Sequence, residues 1–503
     1  MPKHRWLILL VFALGCEGGP YDPGFPPPGD PPPTPFPPGL AFRIGGPGPD
    51  VIRSLRVDPA GNLIVTGTFS GVAPMGPGGA SPLTSLGGTD GFLAKYSPAG
   101  ALQWAVRFGG FLDELVTDLA VDGAGNIYVA GSFQGAAAFD ITGVAVVLQS
   151  EGGSDGFVAR YTPDGALGWA RRFGGTGLDE VSALAPGAGG GVYAVGAFTG
   201  QANSNPAPGP VLQSLGGRDG FLLALSSGGG VSWALPIGGP QDDAALGVAV
   251  LPGGDIAVAG VFRSTADFSR TEAATFLTSL GGGDVFLATY SAAGAFVRLR
   301  GFGGTGEESL AQGGLAASAA GELVLLGSFS GALDFNPGAG VAARQSIGQA
   351  DLFLSRFDPV SSFISVLTLG GSGTLTAGRA RVMNDGSIFV NGSFSGTIDF
   401  DPGTGVTALA SLGLQGVSDA FVARYTAGGQ LAWVSRFGEA TSQAGRGVGA
   451  TGLGFDLSGN PVVGGFFGGS PDFDPGGNSF RLISLGEADG FVIKLTAEGA
   501  LAP

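Results

Sequence analysis

The stretch "SLGGTDGF", Ser85 to Phe92, recurs down the chain as "SEGGSDGF" from Ser150, "SLGGRDGF" from Ser214 and "SLGGGDVF" from Ser279. Its Asp-x-Phe end sets a period: Asp90, Asp155, Asp219, Asp284, Asp351, Asp419 and Asp489 each precede a Phe by two residues. Two other landmarks keep step. Gly67, Gly131, Gly196, Gly260, Gly327, Gly392 and Gly465 each stand two before a Phe, and an apolar-Gly-Gly tripeptide begins at Ile44, Phe108, Phe173, Ile237, Phe302 and Leu369, with "FGE" at Phe437. A fixed order of landmarks at intervals of this length marks a repeat architecture. A P-loop reading of the glycines fails, because no Lys stands where a phosphate cradle needs one and no helical pattern follows.

One period reads as four strands, in the first copy Val51–Asp58, Asn62–Phe69, Gly91–Tyr96 and Leu102–Phe108. They are rich in β-prone residues and punctuated by "DPAGN" and "SPAGA", which are tight-turn chemistry. Four strands per repeat is the requirement of a β-propeller blade. The last copy ends after its third strand, while "LAFRIGG" (Leu40–Gly46) is a fourth strand with no copy before it. The expectation is therefore an all-β, seven-bladed propeller of four-stranded antiparallel blades, with Ala41–Ile44 closing the last blade and removing a free edge.

Composition agrees with turn-rich β structure. Of 503 residues 98 are Gly and 34 Pro, yet 44% are hydrophobic, including 36 Phe. A disordered chain lacks apolar surface on that scale. The net charge of −16 argues against nucleic-acid binding.

The chain has one Cys and one His. Lys3, His4 and Arg5 followed by the apolar run Trp6 to Gly15 read as a secretory signal over residues 1–15. Ala13-Leu14-Gly15-Cys16 resembles a bacterial lipobox, which implies cleavage before Cys16 and lipidation of its thiol. The mature chain would then hold 22 basic against 40 acidic residues, a net −18, with no His. Ser-His-Asp and Cys-His catalysis lose their base, and His- or Cys-based zinc sites their ligands. Residues 16–39, with "PPPGDPPPTPFPPG", read as a semi-rigid polyproline stalk spanning roughly 70 Å or less. Residues 40–503 are the propeller.

At "GNIYVAGSF" (Gly125–Phe133) and "SDGFVARYTPDGALGWARRFGG" (Ser154–Gly175), the chain resembles the bacterial SBBP-type β-propeller repeat family. The resemblance covers Leu40 to Leu501. It drifts in the fifth copy at "DLFLSRF" and in the sixth, where "GLQGVSD" lengthens the turn after Leu412. It implies a secreted or surface propeller and carries no catalytic residues to transfer.

The Asp of "DGF" is read as a turn-fixing residue and the following Phe as filling between blades. Trp104, Trp169, Trp233 and Trp433 are read as packing. The acidic pairs Asp113-Glu114, Asp179-Glu180, Asp242-Asp243 and Glu307-Glu308 follow the apolar-Gly-Gly tripeptide, with Asp50 alone in the first copy. They are the candidate binding residues, forming a negative arc on one rim that suits a divalent cation or a basic partner; strand-entry capping is the structural alternative. "DFDPG" (Asp399, Asp401; Asp472, Asp474) resembles the start of a calcium loop but lacks its distal Glu. Calcium is thus the one cofactor considered.

The expected function is that of a cell-envelope or outer-membrane lipoprotein, monomeric and touching the membrane only through its lipid. It would bind a protein or glycan and perform no catalysis. The alternatives are a carboxylate-dependent polysaccharide-acting enzyme with its site at the channel mouth, and a purely structural envelope component.

Overall fold

A computed structural model describes residues 40–140, 146–205, 209–269, 274–413, 416–440, 447–476 and 478–502. The signal, Cys16 and the stalk lie outside them. Within each copy the backbone pairs in sequence order. In the first, Val51–Val57 pairs Leu63–Phe69, which pairs Asp90–Tyr96, which pairs Leu102–Gly110, all antiparallel. The first strands of successive copies lie side by side around an axis. Val51–Val57 packs on Glu114–Val121, that on Glu180–Pro186, and so on through Ala244–Val250, Glu308–Ala317 and Thr374–Val382 to Val448–Phe455, which returns to Val51–Val57.

The termini meet as expected. Ala41–Ile44 pairs antiparallel with Asp489–Lys494, Ala41 opposite Ile493 and Ile44 opposite Gly490. Leu40, Phe42 and Ile44 are buried among Ile52, Val65, Val462 and Val492, sealing first copy to last.

The expectation of a seven-bladed propeller of four-stranded antiparallel blades is corrected. The chain is an all-β propeller, but among the described residues its hydrogen-bonded sheets hold four, six or eight strands, alongside three two-stranded ones. Sequence reading missed short outer strands such as Val72–Pro74 and Pro82–Thr84, whose three residues are too few to show a period. It also ended the fourth strand of the first copy too early. Leu102–Gly110 runs through its Gly-Gly, where Gly109 and Gly110 pair with Ala138 and Ala137 of the next copy's outer hairpin. Gly370 and Gly371 pair likewise with Asp399 and Ile398, and Gly174 with Asn203. The glycines stitch one repeat to the next, so sheets fuse.

That stitch explains the tripeptide. A Cβ on Gly110 would lie 1.9 Å from the Ala136 carbonyl oxygen, and one on Gly175 1.9 Å from that of Gln201. No side chain fits. Gly110→Ala is therefore expected to lower the melting temperature by several degrees, a loss on the order of 2 kcal/mol. Gly123→Ala, at an exposed site with nothing within 4 Å, should leave it unchanged or slightly raised. Equal melting temperatures for the two variants would rule the stitch out.

The landmark Gly of the second strand has a different cause. Gly131 sits opposite Phe157; its Cβ would meet the Leu115 carbonyl at 1.8 Å and the Phe157 ring at 3.0 Å. The Phe ring thus lies over bare backbone. Between copies it joins Phe108 and Phe139, with centroids 5.7 and 4.9 Å away, in a core shared with Ile64, Leu93, Val116 and Val129. Trp104 and Trp169 donate their indole N–H to the Pro163 and Ser227 carbonyls of the following copies. They bridge copies, as the packing reading holds.

Candidate functional site

The rim acids are built into the joints. In six copies the repeated Asp accepts the backbone N–H four residues earlier, as Leu86 to Asp90 (3.1 Å) and Leu485 to Asp489 (2.9 Å), and in the sixth copy Asp419 accepts that of Leu412, seven residues earlier. Across the joint, one acid in each of five copies reaches back to the second glycine of the tripeptide. Asp50 accepts from Gly46 N at 2.7 Å, Glu114 from Gly110 N at 3.1 Å, Asp179 from Gly175 N at 2.7 Å, Asp243 from Gly239 N at 2.6 Å and Glu308 from Gly304 N at 2.9 Å. These five are at most 2% exposed.

Their neighbours point outward and are also engaged. Asp113 accepts from Thr89 N and Asp242 from Arg218 N, both at 2.9 Å. Glu180 pairs with Arg218 at 2.8 Å, and Glu307 pairs with Arg263. The arc is a set of cross-links between copies.

The Asp-x-Asp loops are turns. Asp399 accepts from Asp401 N and Thr407 N, and Asp401 from Gly403 N. Asp472 and Asp474 repeat the pattern. Asn336 substitutes for the second Asp with the same bond to Gly338 N, 2.8 Å, so the turn does not require that charge. Among the described residues no three Asp, Glu, His or Cys side chains are grouped to hold a metal ion.

What the structure does bring together lies on the axis. A cavity of about 290 Å³ is lined by Arg56, Asp118, Arg379 and Arg381, with an apolar wall that includes Leu184, Val248 and Leu315. The rim acids stand at the starts of the inner strands; the cavity lies against their second halves. Asp118 is its electrostatic knot. Its Oδ1 accepts from Ser54 Oγ (3.2 Å), Arg56 Nη2 (3.2 Å) and Arg379 Nη2 (3.1 Å), and its Oδ2 from Leu184 N (3.1 Å). Burial opposes its ionisation, yet Arg379 and Arg56 hold its carboxyl below the usual range. Arg379 crosses from the sixth copy to the second, where it also donates to the Thr117 carbonyl at 2.9 Å. It passes over Gly313, which has no side chain to obstruct it.

Asp118→Ala should cost about 3–5 kcal/mol, because it strands a buried guanidinium. Adding Arg379→Met should restore a large part of that loss, measured as denaturant midpoints. A double variant no better than the single one would show that the pair is not the cause.

Sequence reading did not single out these four residues. A signal existed. Arg56 and Arg381 pair opposite Ile64 and Phe389, each three residues before the landmark Gly. The corresponding residues in other copies are Ala120, Ala185, Ala249, Ala316 and Gly454.

No protein-family model matches the chain. It is similar to the regulatory protein FlaEY of Caulobacter vibrioides, 33% identical over 144 residues. That stretch is 28% of this chain and spans 15% of FlaEY, well under two thirds of that protein's length. Similar solved structures include a streptogramin B lyase (9% identical, TM-score 0.39, covering 90% of this chain and 97% of that one). U3-55K is 10% identical with a TM-score of 0.42 over 90% of this chain and 98% of its own. The β-propeller domain of the Trilobed protease from Pyrococcus furiosus is 8% identical with a TM-score of 0.39, over 91% and 96%. The propeller assignment rests on the strand pairing of the chain itself.

The joints carry one further electrostatic feature. A Cβ on Gly45 would lie 2.7 Å from Asp50 Oδ2 and 2.9 Å from Asp489 Oδ1; one on Gly109 would lie 2.3 Å from Glu114 Oε2 and 3.1 Å from Asp90 Oδ1. Two buried carboxyls thus flank one glycine. In the joints Glu114/Asp90 and Glu308/Asp284, each member has one buried oxygen with no hydrogen-bond partner among the described residues. Burial, and then the facing carboxylate, push Asp50, Asp243 and Glu308 up to about 7, Glu114 to about 8 and Asp179 to about 6, against the opposing pull of the backbone N–H bonds.

Proposed function

We propose that the chain is an exported, envelope-anchored lipoprotein whose propeller is a non-catalytic binding module with its ligand site in the axial cavity. The observation that carries this reading is the cavity itself. Inner strands of six copies build it, and its charged residues break the repeat, whereas residues common to all copies serve the scaffold. The polysaccharide-acting alternative needs paired carboxyls bordering a space that a sugar can enter. The buried positions of Glu114, Asp179, Asp243 and Glu308 favour the binding reading.

Its test compares the mature protein with Ala317→Trp, a substitution at a cavity-lining position, across a panel of glycan fragments and small metabolites by thermal shift. At least one compound is expected to raise the melting temperature of the parent and not that of the variant. No such compound would overturn the reading. The anchor is tested separately. Cys16→Ser is expected to move the protein from the membrane fraction to the soluble one, and continued membrane retention would retire the lipidation.

A further inference from the structure

The axial cavity has the wrong charge for this protein. The chain is acidic, at −16, yet three guanidiniums and one carboxylate line the cavity. Asp118 cannot balance them all. Its two oxygens already accept from Arg56, Arg379, Ser54 and Leu184 N. Arg381 donates Nη1 to the Ala380 carbonyl at 2.9 Å, and among the described residues no carboxylate lies within ion-pair distance of it. Arginine does not shed its proton in proteins, so a group so placed calls for an anion. Burial, then the repulsion of Arg56 and Arg379, push Arg381 well below the ordinary guanidinium range. The strain of that site is relieved when negative charge enters it.

Resting on the binding reading above, we infer that the cavity binds a small oxyanion, a carboxylate or phosphate group carrying a short apolar part, with Arg381 as its principal anchor and Arg56 beside it. The planar fork of arginine matches the paired oxygens of either group. The wall of Leu184, Val248, Ala249 and Leu315 has no polar side chain to satisfy a sugar-like surface, so the ligand's remainder is apolar. The volume of about 290 Å³ lies at the small end of ligand pockets, which limits that remainder to a few carbons. Rim acids do not compete, because they are held in the joints at the opposite ends of the inner strands.

The experiment is isothermal titration of the mature protein with inorganic phosphate and, separately, with butyrate, at constant ionic strength set by chloride. Saturable binding is expected in at least one arm, with a melting temperature that rises with ligand concentration as mass action requires. The arm that binds distinguishes the phosphate from the carboxylate source. Arg381→Met should weaken binding at least tenfold with an unchanged far-UV spectrum, and Arg381→Lys should fall between. No saturable binding of either anion over chloride overturns the oxyanion class. Undiminished binding to a folded Arg381→Met overturns the anchor. Neither result decides the Ala317→Trp comparison, which tests binding in the cavity without assuming the ligand's charge, so failure of the class and failure of the binding reading are separable.

Discussion

A chain lacking residues 40–46 is expected to lose cooperative folding, whereas one shortened only within residues 17–38 should melt as the parent does. The closing strand contributes more than its length. Ala41–Ile44 supplies the fourth strand to Asp489–Lys494, and Lys494 N also bonds the Leu40 carbonyl at 2.8 Å. Phe42 is 3% and Ile44 1% exposed. Arg43 bonds Asp489 at 2.8 Å, and Gly45 N donates to the Pro74 carbonyl at 3.1 Å. Phe42→Ala alone should cost about 3–5 kcal/mol. Losing the whole strand also bares a sheet edge and the core beneath, a loss of the same order as the roughly 5–15 kcal/mol margin of a typical domain. Differential scanning calorimetry decides it. An unchanged transition in the residue 40–46 deletion would refute closure by this strand.

The second large effect is with pH. In the unfolded chain carboxyls release their protons near pH 4. In the folded chain Asp50, Glu114, Asp179, Asp243 and Glu308 hold theirs to between about 6 and 8. Between those limits the folded state binds more protons, so stability falls as pH rises, by about 1.4 kcal/mol per pH unit for each proton held. Their contribution is fully present below about pH 4 and is lost by about pH 8; above that the curve flattens. The charged groups facing them set the size of the effect. Asp489 and Arg43 face Asp50; Asp90, Asp113 and Arg107 face Glu114; Asp155 and Arg218 face Asp179; Asp219 and Asp242 face Asp243; Asp284 and Glu307 face Glu308.

Glu308→Gln is the sharpest probe, since neither Glu308 nor Asp284 has an arginine among its electrostatic partners. The amide keeps an acceptor for Gly304 N and can donate to Asp284 in place of the proton. The variant should be more stable than the parent at pH 8 and show a shallower slope between pH 5 and 7. A parent whose denaturant midpoint does not fall over that interval would refute the retained protons.

Much of this protein was legible without a structure. Repetition made it so, because any residue that recurs in every copy serves what the copies share. The Asp of "DGF", the Phe after it and the landmark glycines could be assigned to scaffold on that ground. The pairing of Ala41–Ile44 with the last copy followed from counting strands. The acidic pairs were recognised as a group, but their neighbours in space, Gly46, Gly110, Gly175, Gly239 and Gly304 across the turn and the facing Asp across the joint, were not. The outer hairpins escaped because three-residue strands leave no periodic trace.

The all-β propeller follows from the residues alone, because side-chain alternation and turn chemistry are local and were written out seven times. How the copies join and where charge gathers are properties of the folded ring. Sheet fusion depends on whether a backbone can approach across the joint to a distance that a Cβ forbids. The cavity depends on Arg379 and Asp118, 261 residues apart, meeting across the axis. Both are distances between segments remote in the chain, and only closure of the ring sets them.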